Sequence, residues 1–503
     1  MKKIALFLSI VVAAIACDKV DPITPPEVDF ANPDVVIPFQ GSEEEPIVLS
    51  FKANVDWTAE LDQAYDWLSI APTSGKAGEA AIEIYAAENE AEEVRAAVIK
   101  VKVGVSVLTF DVIQNGIPYL AIEPAEVSLP ATGGSATVTV EANVEYVLTA
   151  TEGDWLSYDY NAETGVYTFT ATANEAYAPR TATVTLSNNV SGVTASFVVS
   201  QEGKAKVLWE KSLADYSAVT YAYPIRLAYK DGVLVLAAAG SVHTLNAEDG
   251  SYLQAVALPE GFVATSVTND DAGNIVVAAD APAYGSSEIY AVSSLETLTP
   301  TKVATLSNAD LYRPGGNLRA GGDVTGNGVV TMYVDYEHYW IGCDIVNGEA
   351  QASMFQAISR LEGAGSTWDP NAGCAAPLGS KLADGVIATF YTQPALVSNA
   401  SGEWATVGSS MYTGNDNNCS VAEAVYGDVH FAAVAVGSHF TYSATGAYLY
   451  NLTSGEVLYS YKVDGELTNY GANADVVLVP TTDALYMYYA DLNKGRIACV
   501  EIK

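Results

Sequence analysis

The chain has 503 residues, of which half are hydrophobic and 17% charged, and 60 acidic against 23 basic residues give a formal net charge of −37. This length exceeds the size at which one hydrophobic core keeps growing, so we expect two or more domains, folded rather than disordered. The acidic balance and the lack of a basic patch exclude a nucleic-acid partner. The four histidines show no zinc-binding spacing, and we expect neither a metal site nor a cofactor.

The first sixteen residues have the pattern of a secretion signal. Lys2 and Lys3 precede an apolar run, residues 4–12, that is shorter than the roughly 20 residues needed to span a bilayer. The run leads into Ala-Ile-Ala-Cys (14–17), which resembles a bacterial lipobox. We therefore expect a signal peptide over 1–16, a lipid anchor at Cys17 and a flexible, proline-rich tether over 17–33. The alternative is an ordinary A-x-A cleavage site followed by an incidental cysteine.

The lipid anchor would make the protein an outer-membrane lipoprotein. Asp18 and Asp21 directly behind it favour export to the cell surface, because related lipoproteins carry acidic residues there. The alternative is an orientation that faces the periplasm.

A duplicated segment follows the tether. Short alternating runs rich in Val, Thr, Ile and Tyr predict β-strands throughout, with no helical period. Two stretches of about 85 to 90 residues share a sequence pattern and each predicts one small domain. The matching elements are FKANVDW (51–57) with VEANVEY (140–146), DWLS at 66–69 and 154–157, Asn89 and Arg95 with Asn174 and Arg180, and VIQNG (112–116) with VVSQEG (198–203).

These shared residues resemble the BACON domain, an immunoglobulin-like β-sandwich of secreted and surface proteins of Bacteroidetes. The pattern is an early aromatic, Trp-Leu-Ser, Pro-x-x-Gly, Asn-x5-Arg and a closing Gln-x-Gly. The first copy has every part, including APTSG (71–75), whereas the second has YDYNAETG (158–165) in place of the proline turn. The resemblance implies two tandem sandwiches over 34–117 and 118–203, and the family's name records a proposed carbohydrate-binding role.

Two pairs of motif residues have alternative roles. We expect Trp67 and Trp155 to pack between the sheets, because each belongs to a Trp-Leu pair typical of a core; the alternative is a platform on which a sugar ring stacks. We expect Arg95 and Arg180 to bond loop carbonyls rather than a ligand. Two rigid modules in series behind a lipid anchor would then act as a spacer.

The last three hundred residues follow a longer period. VHTLNAEDGSYLQAVAL (242–258) aligns without gaps with AYLYNLTSGEVLYSYKV (447–463), and turn glycines at 250, 348, 402 and 455 lie near multiples of about 50. A period near 50 with several strands per unit predicts a β-propeller over 205–503, with six blades favoured and five or seven as alternatives. We expect VLWEKSL (207–213) to complete the last unit beside the strand IACVEI. The segment also resembles uncharacterised propeller-like domains that follow BACON modules, a likeness that brings no site residues.

The loops at one end of this predicted propeller are rich in aromatic and hydrogen-bonding residues, and DYEHYWIG (335–342) is the most aromatic stretch of the chain. Aromatic faces flanked by polar groups suit sugar rings, whose C–H faces are apolar. The alternative is that these large side chains fill space between blades. The candidate ligand-binding residues are Arg313, Tyr336, His338, Tyr339, Trp340, Trp368, Tyr412, His439 and Tyr442.

Two further signals are interpreted as structural. GGDVTGNGVV (321–330) lacks the carboxylates of a calcium site and predicts a hairpin, and NDDAGNIVVAAD (269–280) predicts a turn before a strand. The cysteines at 343, 374, 419 and 499 could form disulfides or remain buried thiols, and their spacing does not decide between these states.

No serine elbow, P-loop or dinucleotide fingerprint is present, so we do not expect an enzyme. The sequence predicts a membrane-anchored, non-catalytic extracytoplasmic binding protein with a glycan ligand on the propeller. One alternative is a structural or protein-interaction component of an outer-membrane complex, with a protein partner. The other is a carbohydrate-active hydrolase or lyase, for which two carboxylates suffice; Asp335, Glu337 and Asp369 stand in aromatic surroundings.

Overall fold

The computed structural model describes residues 28–30, 35–150, 153–220, 225–280, 286–296, 299–307, 317–334, 339–357, 373–390, 396–398, 404–406, 416–438, 445–465 and 473–503. Within these ranges the protein is all-β, with two single-turn 3₁₀ helices, Leu213–Asp215 and Leu382–Asp384. None of the helices in the described ranges is long and apolar enough to cross a membrane. The predicted signal peptide and Cys17 lie outside them. Residues 28–30, expected to belong to the flexible tether, instead form a strand that pairs with residues 51–53 of the first repeat.

The first copy of the repeat, here called the first module, is sandwich-like, with two sheets that share one hydrophobic core. Its strands are β1 (Val28–Phe30), β2 (Val35–Ile37), β3 (Ile47–Ala53), β4 (Trp57–Leu61), β5 (Leu68–Ala71), β6 (Ser74–Gly75), β7 (Gly78–Ala86), β8 (Arg95–Val103) and β9 (Ser106–Gln114). The strand orders are β1-β3-β7-β5 and β2-β9-β8-β4-β6. Side chains point alternately into the core and towards solvent along the strands. In β9, for example, Phe110, Val112 and Gln114 are buried between exposed neighbours.

The second copy, the second module, has the same architecture without a counterpart of β6. Its strands are β10 (Leu120–Glu123), β11 (Glu126–Leu129), β12 (Gly134–Ala142), β13 (Val147–Ala150), β14 (Leu156–Asn161), β15 (Val166–Ala171), β16 (Arg180–Ser187) and β17 (Thr194–Gln201). The strand orders are β10-β12-β15-β14 and β11-β17-β16-β13. Phe169 and Phe197 meet edge-to-face at 5.1 Å in its core.

The described parts of residues 205–503 form six antiparallel sheets, named I to VI. The region starts with β18 (Ala205–Ser212), which belongs to sheet VI. Sheet I contains β19 (Ile225–Lys230), β20 (Val233–Ala238), β21 (Ser241–Asn246) and β22 (Tyr252–Val256). Sheet II contains β23 (Ala264–Asn269), β24 (Ile275–Asp280), β25 (Ser286–Val292) and β26 (Pro300–Ser307). Sheet III contains β27 (Leu318–Gly322), β28 (Gly328–Val334), β29 (Tyr339–Val346), β30 (Glu349–Ala350) and β31 (Met354–Ala357).

The remaining three sheets have four strands each, as sheets I and II do. Sheet IV contains β32 (Gly373–Pro377), β33 (Val386–Phe390), β34 (Leu396–Ser398) and β35 (Trp404–Thr406). Sheet V contains β36 (Asp416–Tyr426), β37 (Val429–Ser438), β38 (Thr445–Asn451) and β39 (Val457–Val463). Sheet VI contains β40 (Ala474–Pro480), β41 (Leu485–Asp491) and β42 (Arg496–Ile502), followed by β18. The pairing of β18 with β42 confirms the partner predicted for VLWEKSL, and it joins both ends of the region in one sheet.

The first strand of each sheet contacts the first strand of the next: β19, β23, β27, β32, β36 and β40 follow one another, and β40 contacts β19. Hydrogen bonds join the starts of these strands. The Ile225 N–H donates to Asn473 Oδ1 at 3.0 Å, and the Leu318 N–H donates to Ser266 Oγ at 3.2 Å. We call the end at which these strands start the loop end, and the opposite end the cavity end.

Three of the predicted turn glycines join the third and fourth strands of their sheets. Gly250, Gly348 and Gly455 have φ angles of 71°, 78° and 73°, in the left-handed region that glycine adopts without strain. Gly250 also lies so close to the indole of Trp209 that a Cβ atom would be 2.7 Å from the ring. The fourth, Gly402, lies outside the described residues.

Both Gly/Asp-rich segments form turns, as predicted. Asp323, in the turn between β27 and β28, accepts hydrogen bonds from Thr325 N–H at 2.9 Å and Thr325 Oγ1 at 2.6 Å. These bonds lower the pKa of Asp323. Its carboxylate therefore has an internal structural role in the turn.

Candidate functional site

The motif residues of the first module form one hydrogen-bonded group. Arg95 Nε donates to Gln114 Oε1 at 2.9 Å, and its Nη2 donates to the carbonyls of Ala87 and Glu88 at 2.7 and 2.9 Å. Gln114 Nε2 donates to the same Ala87 carbonyl at 2.8 Å. The pair thus ties the start of β8 and the end of β9 to the loop that follows β7.

The second module repeats this group. Arg180 Nε donates to Gln201 Oε1 at 2.8 Å, and its Nη2 donates to the carbonyls of Thr172 and Ala173 at 2.9 and 3.2 Å. Gln201 Nε2 donates to the Thr172 carbonyl at 2.8 Å. The prediction that both arginines bond loop carbonyls is confirmed.

The two motif asparagines hold the neighbouring loop. Asn89 Nδ2 donates to the Glu93 carbonyl, four residues further on, at 2.9 Å, and to the Asn115 carbonyl at 3.0 Å. Asn174 Nδ2 makes the equivalent bonds, the second to the Glu202 carbonyl, both at 3.0 Å. The recurring Asn, Arg and Gln of the sequence pattern are therefore structural residues.

The motif tryptophans pack between core and arginine. The guanidinium carbon of Arg95 lies 4.4 Å from the ring centroid of Trp67, and that of Arg180 lies 4.5 Å from Trp155. Both rings are half-buried and also pack against the core of their module. The predicted packing role is confirmed, and the arginine covers the face on which a sugar would stack.

The same loop of each module contacts the next unit of the chain. Asn143 of the second module donates to the carbonyls of Glu92 and Ile117 at 2.9 and 2.8 Å. In the second module, Tyr177 has the position that Glu92 has in the first. Its carbonyl accepts the N–H of Ala205, the first residue of β18, at 3.0 Å. The Tyr177 ring meets that of Phe431 at 6.1 Å. Both junctions are thus made by the loop between the motif Asn and Arg.

Two of the nine candidate ligand-binding residues lie in the described part of the chain. Tyr339 and Trp340 start β29 at the loop end of sheet III. Trp340 is 1% exposed and packs with Tyr333, Ala375 and Val386 between sheets III and IV. Its side chain therefore fills the space between two sheets, and the predicted contact of Trp340 with a ligand stays a prediction. Tyr339 is half-buried against the core between sheets II and III.

The other seven candidates lie outside the described residues: Arg313, Tyr336, His338, Trp368, Tyr412, His439 and Tyr442. The described strands that flank them start or end at the loop end. Asn317 shows how closely these strand starts approach, because its Nδ2 donates to the carbonyls of both Gly373 and Cys419. The starts of β27, β32 and β36 are therefore adjacent.

Buried polar groups lie where the first strands meet. Arg319 Nε donates to the Val421 carbonyl at 2.8 Å, and its Nη2 lies 2.5 Å from Asp475 Oδ1. Asp475 Oδ2 accepts the Leu227 N–H at 2.7 Å. Burial lowers the pKa of Arg319, but Asp475 outweighs it, and the pKa is raised overall. Two side chains thus connect sheets I, III, V and VI.

A cavity of about 540 Å³ opens at the cavity end, and residues of all six sheets line it. Its walls combine apolar residues, such as Pro377 and Val479, with charged ones. A cavity of this size can take a small organic ligand. Its polar lining includes Tyr229, Lys230, Asp271, Glu423 and His430.

Charged groups in the cavity are partly paired. Lys230 Nζ donates to the Gly273 carbonyl at 2.8 Å, and Glu423 Oε2 lies 2.6 Å from His430 Nε2. Asp271 accepts the Gly322 N–H at 2.6 Å. Burial raises the pKa of Asp271, with a contribution from the negative charge of Glu423. The cavity therefore offers hydrogen-bond acceptors beside an imidazole and an ammonium group. Among the described residues, no three His, Cys, Asp or Glu side chains are arranged to hold a metal ion.

Sequence reasoning missed this cavity because its residues come from six separate turns. The segment NDDAGN was interpreted as structural, which is right for Asp270, whose carboxylate accepts the N–H groups of Asn274 and Val324 at 2.8 and 2.9 Å. The adjacent Asp271 faces the cavity. Glu423 carries a weaker signal, as an acid between apolar residues in the second half of β36.

The four cysteines at 343, 374, 419 and 499 are buried thiols rather than disulfides. Burial raises the pKa of Cys343 to about 11 and that of Cys499 to about 12. Neither group is therefore ionised at neutral pH.

The solved structures that match this chain have low sequence identity and low TM-scores to it. They include a Bacteroides ovatus GH5 xyloglucanase in complex with a XXXG heptasaccharide, with 16% identity, coverage of 21% of this chain and 22% of that chain, and a TM-score of 0.16. An endo-fucoidan hydrolase from glycoside hydrolase family 107 has 12% identity, coverage of 36% and 34%, and a TM-score of 0.22. The I-band fragment I67-I69 from titin has 9% identity, coverage of 54% and 95%, and a TM-score of 0.27.

This chain spans about a fifth and a third of the two hydrolases' own lengths. TM-scores this low carry no argument about the fold or the function of this protein. A search of curated proteins returns no match.

Family models match the two modules. Residues 37–116 match the model described as "Viral BACON domain". Residues 145–202 match the BACON model described as "Putative binding domain, N-terminal". The chain therefore contains two BACON-type domains in tandem.

Proposed function

We propose that this protein is a non-catalytic, extracytoplasmic binding protein, anchored in the outer membrane through Cys17, with a glycan as its ligand. Its six C-terminal sheets are a six-bladed β-propeller and form the binding head. The contacts between successive first strands and the pairing of β18 with β42 support that architecture. The second BACON model, described as a binding domain, supports the general role.

The observation that carries the proposal is the cavity shared by all six sheets. Its volume of about 540 Å³ lies in the range of ligand sites, and it combines apolar walls with Asp271, Glu423 and Lys230. Carboxylate and ammonium groups bond sugar hydroxyls, while Tyr229 offers an aromatic surface. In this proposal the cavity binds the ligand without catalysing a reaction.

The loop end is the second place for ligand contact. Tyr336, Trp368 and Tyr412 belong to the loops predicted there. Two buried polar atoms at this end, Asn317 Oδ1 and Asn473 Nδ2, have no hydrogen-bond partner in the described structure. A ligand or water with several hydroxyl groups would satisfy such atoms.

The modules would serve as a spacer between anchor and head. Residues 202–204 alone connect β17 to β18, and the loop around Tyr177 contacts Phe431 in sheet V. A short connection with side-chain contacts restricts movement of the head relative to the second module.

A glycan array with the soluble chain from residue 18 onward tests the proposal, with thermal shift as the second readout. We expect at least one saccharide class to bind and to raise the melting temperature, because a ligand of the native state stabilises it. If no saccharide binds and a membrane protein co-purifies instead, a role in an outer-membrane complex replaces the glycan. Release of product from a bound saccharide would support the hydrolase alternative.

A further inference from the structure

The two modules differ at one edge of the sandwich. In the first module β6 pairs with β4, so that Gly75 lies opposite Trp57, and the N–H of Ala59 donates to the Thr73 carbonyl at 2.8 Å. Gly75 lies directly on the indole, because a Cβ atom there would be 2.6 Å from the ring. The chain itself thus covers this edge, and Trp57 is only 4% exposed.

The second module leaves the same edge open. Its β13 is the counterpart of β4 and pairs with β16 on one side, but no described strand pairs with its other side. Tyr146 takes the position of Trp57 and is half-buried. The cause lies in the sequence: YDYNAETG replaces the proline turn, so that residues 158–161 extend β14 instead of crossing to β13.

A group of tyrosines lies beside this open edge. Tyr158 and Tyr160 are both 47% exposed, although they pair with the core residues Phe169 and Tyr167 and so project from the core-facing side of β14. Tyr160 stacks on Tyr167 at 4.4 Å, and the hydroxyl of Tyr167 lies 3.5 Å from that of Tyr146. Burial raises the pKa of Tyr146, so its hydroxyl keeps its proton.

The surroundings of this edge are acidic. Residues 118–203 contain ten Asp or Glu residues and one basic residue, Arg180, whose guanidinium is bonded to Gln201 and to loop carbonyls. Glu145 precedes Tyr146, and Asp159 stands between the two exposed tyrosines. Both carboxylates are exposed. A partner on this edge would therefore be positively charged.

We propose that the open edge of the second module binds an extended segment of a partner protein, which pairs with β13 as β6 pairs with β4 in the first module. The first module shows which backbone fits: a short strand with a glycine on the aromatic ring. The acidic surroundings select a segment with basic residues, and Tyr158 and Tyr160 contact its apolar side chains. This inference is independent of the saccharide site on the C-terminal sheets.

The probe is a fluorescent peptide with the first module's own sequence IAPTSGKAG (70–78), added to the soluble chain from residue 18 onward. We expect saturable binding and slower amide hydrogen exchange at residues 147–150, by about tenfold or more. The matched segment, residues 57–61, keeps its exchange rates because its edge is already occupied. A peptide with valine in place of the glycine that corresponds to Gly75 should bind about tenfold or more weakly, since its side chain meets the Tyr146 ring.

The double variant Tyr158→Ser/Tyr160→Ser removes side chains that are 47% exposed and should weaken the peptide at least about threefold. Its melting temperature should be somewhat lower than that of the unmodified chain, because Tyr160 no longer stacks on Tyr167. Unchanged exchange at residues 147–150 in millimolar peptide would overturn the proposal. Equal binding of the glycine and valine peptides would also overturn it, as would protection of this edge by a neutral xyloglucan oligosaccharide but not by the peptide.

Discussion

Arg319 Nη2 lies 2.5 Å from Asp475 Oδ1, and the two residues are 156 positions apart in the sequence. Both side chains are at least 95% buried. The ion pair therefore fixes sheet III against sheet VI in a place where water does not compensate a missing partner. An isolated buried charge is costly, so each residue depends on the other.

Asp475→Asn should lower the free energy of unfolding by about 3–5 kcal/mol, because it leaves the Arg319 guanidinium buried without a counter-charge. Urea unfolding of the soluble chain measures this. The matched control is Glu288→Gln, which breaks the exposed pair with Lys302 at 2.6 Å and should cost less than about 1 kcal/mol. Similar losses for the two variants would contradict the role of the buried pair.

Asp491 gives a pH dependence of opposite sign to that of an ordinary ion pair. Burial raises the pKa of Asp491 to about 6, whereas an unfolded aspartate titrates near pH ~3.9. Between these values the folded chain holds the proton and the unfolded chain does not, so this group's contribution to stability falls as pH rises through that window. By pH ~7 the cost is about 3 kcal/mol.

Asp491→Asn should therefore stabilise the protein at neutral pH and lose this advantage below about pH 4. The amide oxygen can still accept the Lys494 N–H, now at 2.6 Å. Asp323→Asn is the control with the reverse sign, because bonds from Thr325 lower the pKa of Asp323. Unfolding midpoints measured from pH 4 to 8 separate the two, and a pH-independent effect at position 491 would refute the assignment.

Gln201→Ala should lower the stability of the second module by about 1–3 kcal/mol, because it removes the acceptor of Arg180 Nε and leaves buried carbonyls without their donor. Gln114→Ala should have a similar effect on the first module. Denaturant titration followed by tryptophan fluorescence measures both. The exposed Gln254→Ala should change stability by less than about 0.5 kcal/mol. Losses no larger than this at positions 114 and 201 would show that the motif is not a structural clamp.

The thiols at 343, 374, 419 and 499 should not react with Ellman's reagent in the native soluble chain at pH 8, because burial blocks access and, at Cys343, raises the pKa to about 11. All four should react after unfolding in guanidinium chloride without a reductant. Two missing thiols after unfolding would instead reveal a disulfide.

Local sequence patterns predicted much of the fold because β-alternation and repeated motifs are local signals. The sequence repeat located both modules. The Arg and Trp residues of the motif pack as expected, because their contacts lie within their own module. The partner of VLWEKSL was predictable because one unit of the longer repeat lacked a strand.

The sites were harder to predict because they depend on contacts between distant segments. Trp340 looked like a ligand contact in an aromatic loop, but the pairing of β28 with β29 turns its ring towards sheet IV. Asp271 and Glu423 are 152 positions apart and share a cavity only through the packing of the six sheets. The edge of β13 in the second module is open because the turn sequence there differs from that of the first module. The sequence shows this difference, but only the structure shows that the changed turn leaves β13 unpaired on one side in the described part of the chain.

A calorimetric titration with the saccharide selected on the array tests the central claim most directly. It compares the soluble chain with Asp271→Asn at the cavity, Trp368→Ala in a loop predicted to lie at the loop end, and Tyr160→Ser in the second module. We predict at least a tenfold loss of affinity for one of the first two variants and unchanged affinity for the third. Saccharide binding that only Tyr160→Ser weakens, or no heat of binding with any saccharide, would contradict a glycan-binding head formed by the C-terminal sheets.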